Sequence, residues 1–495
     1  MKIDLLKKIP QHMDTIILLL GEGYKLDSFE LLPPHVKELA EAWIEHSNFK
    51  ADFAAVQSAT AVHKGKKYNL IICGAGETKA MSVDKMRRLF ATVVRAAIKL
   101  KAKTLYLYQS FPISIGEEAY GHALAEAALL TEYRFFKYLS SDDKHEIDAL
   151  HLVKKIKNNR QFNCGVLEGR IFAESTNFAR DLVNEPANVI FPESLADLTK
   201  KAALKYGFNI EIFNAEKLRR LKMDAFLAVG KGSKSEPRLI IMRYQGNPDL
   251  RNKTIGLIGK GLTYDSGGYC IKSPQGMVSM KSDMAGAAAV IGTMIAVTSL
   301  KLKVNLVAIV AACENMISGE AYHTGDLIRS MNGKTIEVIN TDAEGRLTLV
   351  DAIHYAISRE KVHKVLDIAT LTGAAVTALG NRISAVVTND DAWLEMLKKA
   401  SEFTGEKIWQ LPAHEEYKEL IKSQIADLKN SGGPVAGTIS AALFIQEFVD
   451  KKPWIHIDIA GTASRDSEAG MYSVGATGVG VRLITQLLRE MEQQS

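Results

Sequence analysis

Thr335-Ile336-Glu337-Val338-Ile339-Asn340-Thr341-Asp342-Ala343-Glu344-Gly345-Arg346-Leu347 is the stretch that decides how this chain is read. Thr335 to Ile339 is rich in β-branched residues and predicts a strand. Leu347, Val350, Ile353 and Ile357 then recur at helical spacing. Asp342, Glu344 and Arg346 lie between the two, spaced two apart. In an extended segment that spacing turns all three side chains to one face. Carboxylates placed side by side repel each other unless a cation lies between them, and metal ions are the usual answer. The small residues Ala343 and Gly345 let the backbone approach a ligand closely. Surface turns and helix starts use similar residues. The strand-to-helix setting favours a site, because ligands of α/β sheets bind at the carboxyl ends of strands.

A metal needs ligands from more than one place. Gly259-Lys260-Gly261-Leu262-Thr263-Tyr264-Asp265-Ser266-Gly267-Gly268 follows a predicted strand, Thr254 to Ile258. It is not a phosphate loop, because Gly261 stands where that motif needs Ser or Thr after the lysine. Beside a dication, Lys260 could lose its proton and serve as a nitrogen ligand. Further on come Lys272 and then Asp283, which precedes a helix of small residues. Asp283 reads either as a ligand or as the helix N-cap. Asp265, Asp283, Asp342 and Glu344 carry four negative charges, which two divalent ions would neutralise. No histidine falls in these segments, so ligand type alone suits Mn²⁺ or Mg²⁺ as well as zinc. Paired metals ~3.5–4 Å apart share a hydroxide and suit hydrolysis.

Bulk composition sets outer bounds. A chain of 495 residues predicts at least two domains. Its 47% hydrophobic and 24% charged residues are those of an ordinary globular protein. The net charge of +5 is small for this length and does not argue for a dedicated nucleic-acid binder. Basic clusters at Lys154-Lys155-Ile156-Lys157 and Lys217 to Lys222 read as solvated helix faces. Cys73, Cys164, Cys270 and Cys313 lack metal-knuckle spacing and read as buried thiols of a reducing compartment. The N-terminus has no signal-peptide pattern. The weakly polar run Ala285 to Leu300 fits a buried helix better than a membrane span, so no membrane partner is expected and the reading is cytoplasmic.

The predicted fold is α/β with two domains. Residues 1–160 alternate strands (Thr15 to Leu20, Tyr68 to Cys73, Thr104 to Tyr108) with a helix striped by Met86, Leu89, Phe90, Val93, Ala97 and Leu100. They form a small α/β domain. Lys154 to Asn163 is polar and basic and precedes a connecting helix, read from about Leu167 to Val183 within a 161–183 connecting segment, and Asn184-Glu185-Pro186 ends it. Residues 184–495 form a larger domain with a mixed, mostly parallel sheet flanked by helices. Its strands are expected at 254–258, 304–311, 335–339, 365–368, 385–388 and 454–459. Its helices are expected at 284–299, 347–359, 391–404 and 439–449.

With these residues in view, the chain resembles the leucyl (cytosol) aminopeptidase family. Asn340 to Leu347 equals that family's signature octapeptide. Arg180 to Pro186, Gly259 to Gly268, Met280 to Val290, Asp367 to Gly373 and His456 to Thr462 also fit its pattern. The resemblance covers residues 165–485 or so. It implies an active site in the second domain, a homohexamer, two zinc ions partly exchangeable for manganese, and removal of N-terminal residues, leucine and other mainly apolar ones, from peptides. It implies Lys260, Asp265, Asp283 and Glu344 as ligands of the tighter metal, and Asp265, Asp342 and Glu344 as ligands of the exchangeable one. Lys272 and Arg346 would be catalytic. A bicarbonate beside Arg346, touched by backbone at Gly345 and Leu371, would be the general base. Met280, Asn340 and Thr370 would line the pocket for the N-terminal side chain. The chain departs from the family at Ser273, which separates Lys272 from Pro274, at His323-Thr324, where arginine-proline is usual, and at Tyr264 in place of phenylalanine. These changes bear on side-chain preference. Two rival readings are a DNA-binding regulatory role on the same scaffold, for which the modest charge gives little support, and a two-metal phosphoesterase.

Overall fold

Apolar, β-branched runs set the strands of two compact units, separated at Glu174–Ser175. The computed structural model describes residues 1–493 apart from 7, 11, 30, 64, 141–144 and 155. Lys7 of the N-terminal stretch and Lys155 of the first basic cluster lie outside the described residues.

The first unit comprises Met1–Glu174 with Ser467–Ser473. Its strands are β1 (Lys2–Leu5), β2 (Thr15–Gly21), β3 (Val56–His63), β4 (Lys66–Gly76), β5 (Thr104–Gln109) and β6 (Ala149–Leu152). They form one sheet in the order β1-β6-β5-β2-β4-β3, parallel except where β3 meets β4. Every residue of β2 is buried, as expected of a strand covered on both faces. The helix Val83–Lys99 packs Met86, Leu89, Phe90, Val93 and Ala97 inward, and the Ser82 hydroxyl caps it by accepting the Lys85 N–H.

The second unit comprises Ser175–Asp466 with Val474–Ser495. Its strands include β7 (Asn209–Phe213), β8 (Arg238–Gln245), β9 (Ile255–Asp265), β10 (Asn305–Asn315), β11 (Leu327–Arg329), β12 (Thr335–Glu337), β13 (Lys364–Ala369), β14 (Ile383–Thr388), β15 (Lys407–Gln410), β16 (Leu428–Lys429) and β17 (Trp454–Asp458). The main sheet runs β15-β14-β17-β13-β9-β10-β8-β7. It is mixed, with a parallel centre: β17, β13, β9 and β10 all point the same way. From β9 the chain passes through the helix Ala285–Leu300 to β10 on one side. From β10 it returns through the helix Gly345–Ser358 to β13 on the other side. The two helices pack into separate apolar layers, on opposite faces of the sheet. Strand order therefore reverses at β9, and the carboxyl end of that strand is the position where such sheets bind ligands.

The helix Ala285–Leu300 is apolar all round, and Ala285 to Thr298 are all buried. The helical run Met280–Leu300 is long and apolar enough to cross a membrane, but 89% of its most apolar window is buried in the protein. Its small residues permit unusually close packing. A Cβ on Gly286 would lie 2.2 Å from the Ile368 carbonyl oxygen, and one on Gly259 would lie 2.7 Å from the Gly286 carbonyl oxygen.

Several sequence expectations need correction. The strand predicted to end at Ile258 continues to Asp265, so Lys260 sits within the sheet. β12 belongs to a separate small sheet, β11-β12-β16, so the octapeptide is not reached from a main-sheet strand. The connecting helix, expected from about Leu167 in a segment 161–183, begins at Asn159, inside the stretch read as preceding it. There the Asn158 side chain accepts the Gln161 N–H and Glu117 accepts the Lys157 and Asn158 N–H groups, which together cap its start. Lys154 and Lys157 therefore precede that helix, and the Lys154 ammonium bonds the Phe111 carbonyl. Only Cys73 and Cys313 are buried thiols: Cys164 is exposed on its helix and Cys270 is half-buried.

Gly286→Ala forces a methyl against the Ile368 carbonyl. It should cost about 1–3 kcal/mol, read as a lower urea midpoint with an unchanged slope.

Candidate metal centre

The octapeptide does not adopt the extended form that its i, i+2 spacing suggested. Thr341 and Asp342 form a turn, Glu344 has helical backbone angles (φ −83°, ψ −36°) as N-cap, and Gly345 opens the helix Gly345–Ser358. Arg346 is in the first helical turn, where its Nη1 donates to the Asn430 carbonyl at 2.8 Å. The carboxylates nevertheless meet. One oxygen each from Asp265, Asp342 and Glu344 lie within 4.8 Å of one another. Asp265 comes from the carboxyl end of β9, and the other two come from the turn before the helix.

Asp283 is outside that trio and is tied to it through Lys260. Lys260, a residue only 3% exposed, places its ammonium 2.9 Å from Asp283 Oδ2, 2.8 Å from Glu344 Oε1 and 2.9 Å from the Thr370 carbonyl oxygen. The capping alternative for Asp283 fails: the helix N-cap is Met284, with no side-chain cap bond. Asp283 instead accepts the Thr370 hydroxyl at 2.7 Å. Lys272 forms the outer counterpart, 2.7 Å from Asp265 and also paired with Asp342. Asp342 keeps about a third of its side chain open to solvent (34%), whereas Asp265 and Glu344 are closed off. The cluster thus has a sealed inner half and an open outer half.

Charge is out of balance here. Four carboxylates contact two ammonium groups. Burial, reinforced by Asp265, raises the carboxyls of Asp342 and Glu344 above their ordinary range. Burial raises Asp283 well above it, against the pull of Lys260. Burial alone would lower Lys260 and Lys272, but the surrounding carboxylates outweigh it and raise both. Glu344 Oε2 is buried and has no hydrogen-bond partner. A buried carboxylate oxygen left unbonded is costly, and a cation is the group that satisfies it. The donor set therefore fits divalent metal.

The other predicted residues distribute around this cluster. Gly345 passes directly under Lys260: a Cβ there would lie 2.6 Å from Lys260 Cε. The Asn340 side chain accepts the Asp342 N–H at 2.8 Å. Met280 opens the short turn before Asp283 and makes no side-chain bond to the cluster among the described residues. The Leu371 N–H donates to Asp458 at 3.1 Å. Burial pushes the Arg346 guanidinium down to about 10, and its Nε has no partner.

Several supporting residues escape a reading of the sequence. Asn315, at the end of β10, donates to Asp265 at 2.8 Å and to the Thr341 carbonyl at 3.0 Å. The Tyr322 hydroxyl donates to that same carbonyl at 2.8 Å. Asn430 accepts the Ile339 and Asn340 N–H groups and donates to the Asn340 and Ala343 carbonyls. Asp458, at the end of β17, accepts from Leu371 N–H and the Thr372 hydroxyl. Behind it, Asp367 binds both His456 Nδ1 and Trp454 Nε1 at 2.6 Å, fully buried. In the sequence, His456 to Thr462 and Asp367 to Gly373 stand out only as pattern, and Asn315, Tyr322 and Asn430 give no signal.

An acidic, lysine-bearing cluster at the switch point of a mixed sheet is the kind of site that α/β enzymes use to hold a metal. Comparison with known proteins narrows this. Residues 177–485 match the catalytic-domain model of the cytosol aminopeptidase family, and residues 17–142 match its N-terminal-domain model. A probable cytosol aminopeptidase of Clostridium perfringens is 47% identical over 89% of this chain and 90% of its own length. One of Alkaliphilus oremlandii is 43% identical over the whole of both chains. Among solved structures, the bottromycin maturation enzyme BotP in complex with Mn superposes with a TM-score of 0.86 at 32% identity, covering 97% of this chain and 99% of that one. The chain belongs to the cytosol aminopeptidase family, and is accordingly a hydrolase of the aminopeptidase kind.

Asn430→Ala removes the side chain that ties the octapeptide down on both sides. It should lower stability by about 1–3 kcal/mol and weaken metal retention, measured by denaturation and by metal content after dialysis. Asp367→Ala leaves His456 and Trp454 without their buried acceptor and should cost about 3 kcal/mol or more in the same denaturation assay.

Proposed function

We propose that this protein removes N-terminal residues, leucine and other mainly apolar ones, from peptides at a centre for two divalent metal ions, zinc or manganese. The observation that carries the reading is the carboxylate trio of buried Asp265, half-buried Asp342 and buried Glu344, with one Glu344 oxygen left unbonded. Lys260, Asp265, Asp283 and Glu344 would hold the inner ion, and Asp265, Asp342 and Glu344 the outer, more exchangeable one. The sealed and open halves of the cluster support that division. Bound ions of this kind supply a Lewis acid and a hydroxide at neutral pH. Lys260 would bind as a neutral amine after giving up its proton.

The chain's own groups do the rest. Lys272 reaches the outer rim, 19% exposed, and there stabilises the oxyanion that develops on the scissile carbonyl. Arg346 presents an unpartnered Nε beside the amino end of the helix Gly345–Ser358, a pairing that suits a planar anion. Together with backbone at Gly345 and Leu371, it would seat a bicarbonate as general base. Met280, Asn340 and Thr370 would line the pocket for the N-terminal side chain. Thr370 and Asn340 contact Asp283 and Asp342 directly, which supports their placement beside the reacting bond. The relative solved with Mn supports manganese among the candidate ions. A cytoplasmic homohexamer belongs to this proposal on family resemblance alone.

Purified protein assayed with leucine p-nitroanilide should release the N-terminal residue in Mn²⁺ or Zn²⁺, stop with a chelator, and recover when metal is restored. Glu344→Ala should lower kcat/KM by about 10³ or more. Lys272→Ala should lower kcat by about 10²–10³, with KM little changed. Metal-loaded protein that leaves peptides intact while cutting a phosphodiester would sink the reading.

A further inference from the structure

The second unit has a cavity at the opposite edge of its main sheet. β9 begins at Ile255, β10 at Asn305 and β13 at Lys364, and these amino ends open onto a space of about 250 Å³. This is just below the ~300 Å³ at which drug-sized ligand pockets begin. The metal cluster lies at the carboxyl ends of the same strands, so the cavity is separate from it.

The walls of the cavity differ sharply in character. Ile255, Met396 and Met491 give it apolar surface, and methionine adapts to varied apolar shapes. Lys253, Lys303 and His363 line it with basic groups. Lys364, a further lining residue, is already committed to Asp390 at 3.0 Å. Neither Lys253 nor Lys303 has an ion-pair partner among the described residues, and both are exposed. The nearest acid to Lys303 in the hydrogen-bond pattern is Glu492, which accepts its backbone N–H. His363 is held below its ordinary value by burial and then by the charges of Lys364, Lys452 and Lys253. The cavity thus pairs an apolar floor of Ile255, Met396 and Met491 with a basic rim, Lys253 and Lys303, whose ammonium groups form no ion pair among the described residues, and Asn247 and Asn305 add polar lining.

We propose that this cavity binds a small organic anion with an apolar body, its carboxylate between Lys253 and Lys303 and its hydrocarbon part against Ile255, Met396 and Met491. An amino-acid product fits poorly, because its ammonium group would face the same lysines. A bare inorganic anion gains nothing from the apolar floor. A neutral amphiphile gains nothing from the rim.

The test is calorimetric titration of the metal-loaded full-length enzyme with octanoate, acetate, inorganic phosphate and hexan-1-ol. Octanoate should bind saturably, and the other three at least about tenfold more weakly. Binding of octanoate should weaken at least about tenfold in a Lys253→Glu/Lys303→Glu variant, through charge, and in Met396→Trp, through loss of space. Neither variant touches the metal cluster, so both should keep wild-type release of leucine p-nitroanilide, which certifies their folding. Absence of saturable octanoate binding overturns the proposal. So does binding that survives in both variants, which would place the carboxylate on the active-site metals, or acetate and phosphate binding as tightly as octanoate.

Discussion

The crowding of Asp265, Asp283, Asp342 and Glu344 into one small volume at the end of β9 is the constraint on which the rest of the second unit depends. Like charges in a medium of low polarity repel strongly, and two lysines offset only part of that repulsion. Left to itself such a cluster would spread apart or take up protons. The surrounding structure prevents the first and favours a cation over the second. Lys260 is fixed in the central strand, Gly345 clears the path of its side chain, and the tight seat of Gly286 on Ile368 keeps the helix after Asp283 close to the sheet.

A second layer of neutral groups holds the carboxylates at fixed positions. Asn315 and Thr370 bond Asp265 and Asp283 directly. Asn430 and Tyr322 instead bond the backbone of the octapeptide, which orients Asp342 and Glu344 without using up their oxygens. That division matters chemically. A carboxylate oxygen already saturated with hydrogen bonds is a poor ligand, whereas one placed by its backbone remains available.

The site was legible in the sequence through its charges, since four acids and a lysine set among glycine and alanine can share a small volume only around a cation. Their conformation was less so. The alternation argument for Asp342, Glu344 and Arg346 assumed a strand, but glycine and arginine there begin a helix, and a turn brings the acids together instead. Gly259 and Gly261 weaken strand propensity, so β9 read as ending early. The close approach of the helix Ala285–Leu300, which needs Gly259, overrides that local preference. The two-domain α/β architecture was legible because buried parallel strands are long apolar runs. Asn315, Tyr322 and Asn430 were not, because a single asparagine or tyrosine gains its meaning only from a contact remote in the chain.

Asn430 carries one more consequence, in the order of assembly. It grips Asn340 across 90 residues, and all the acidic ligands precede it in the chain. During synthesis every proposed ligand has emerged before the residue that fixes half of them in place. Until the loop closes, Asp342 and Glu344 belong to a turn whose backbone is held from one side only. Bringing together residues so far apart in the chain carries the closure entropy of a long loop. A chain that ends short of Asn430 thus carries all four acidic residues but lacks the side chain that ties the backbone of Asn340 and Ala343.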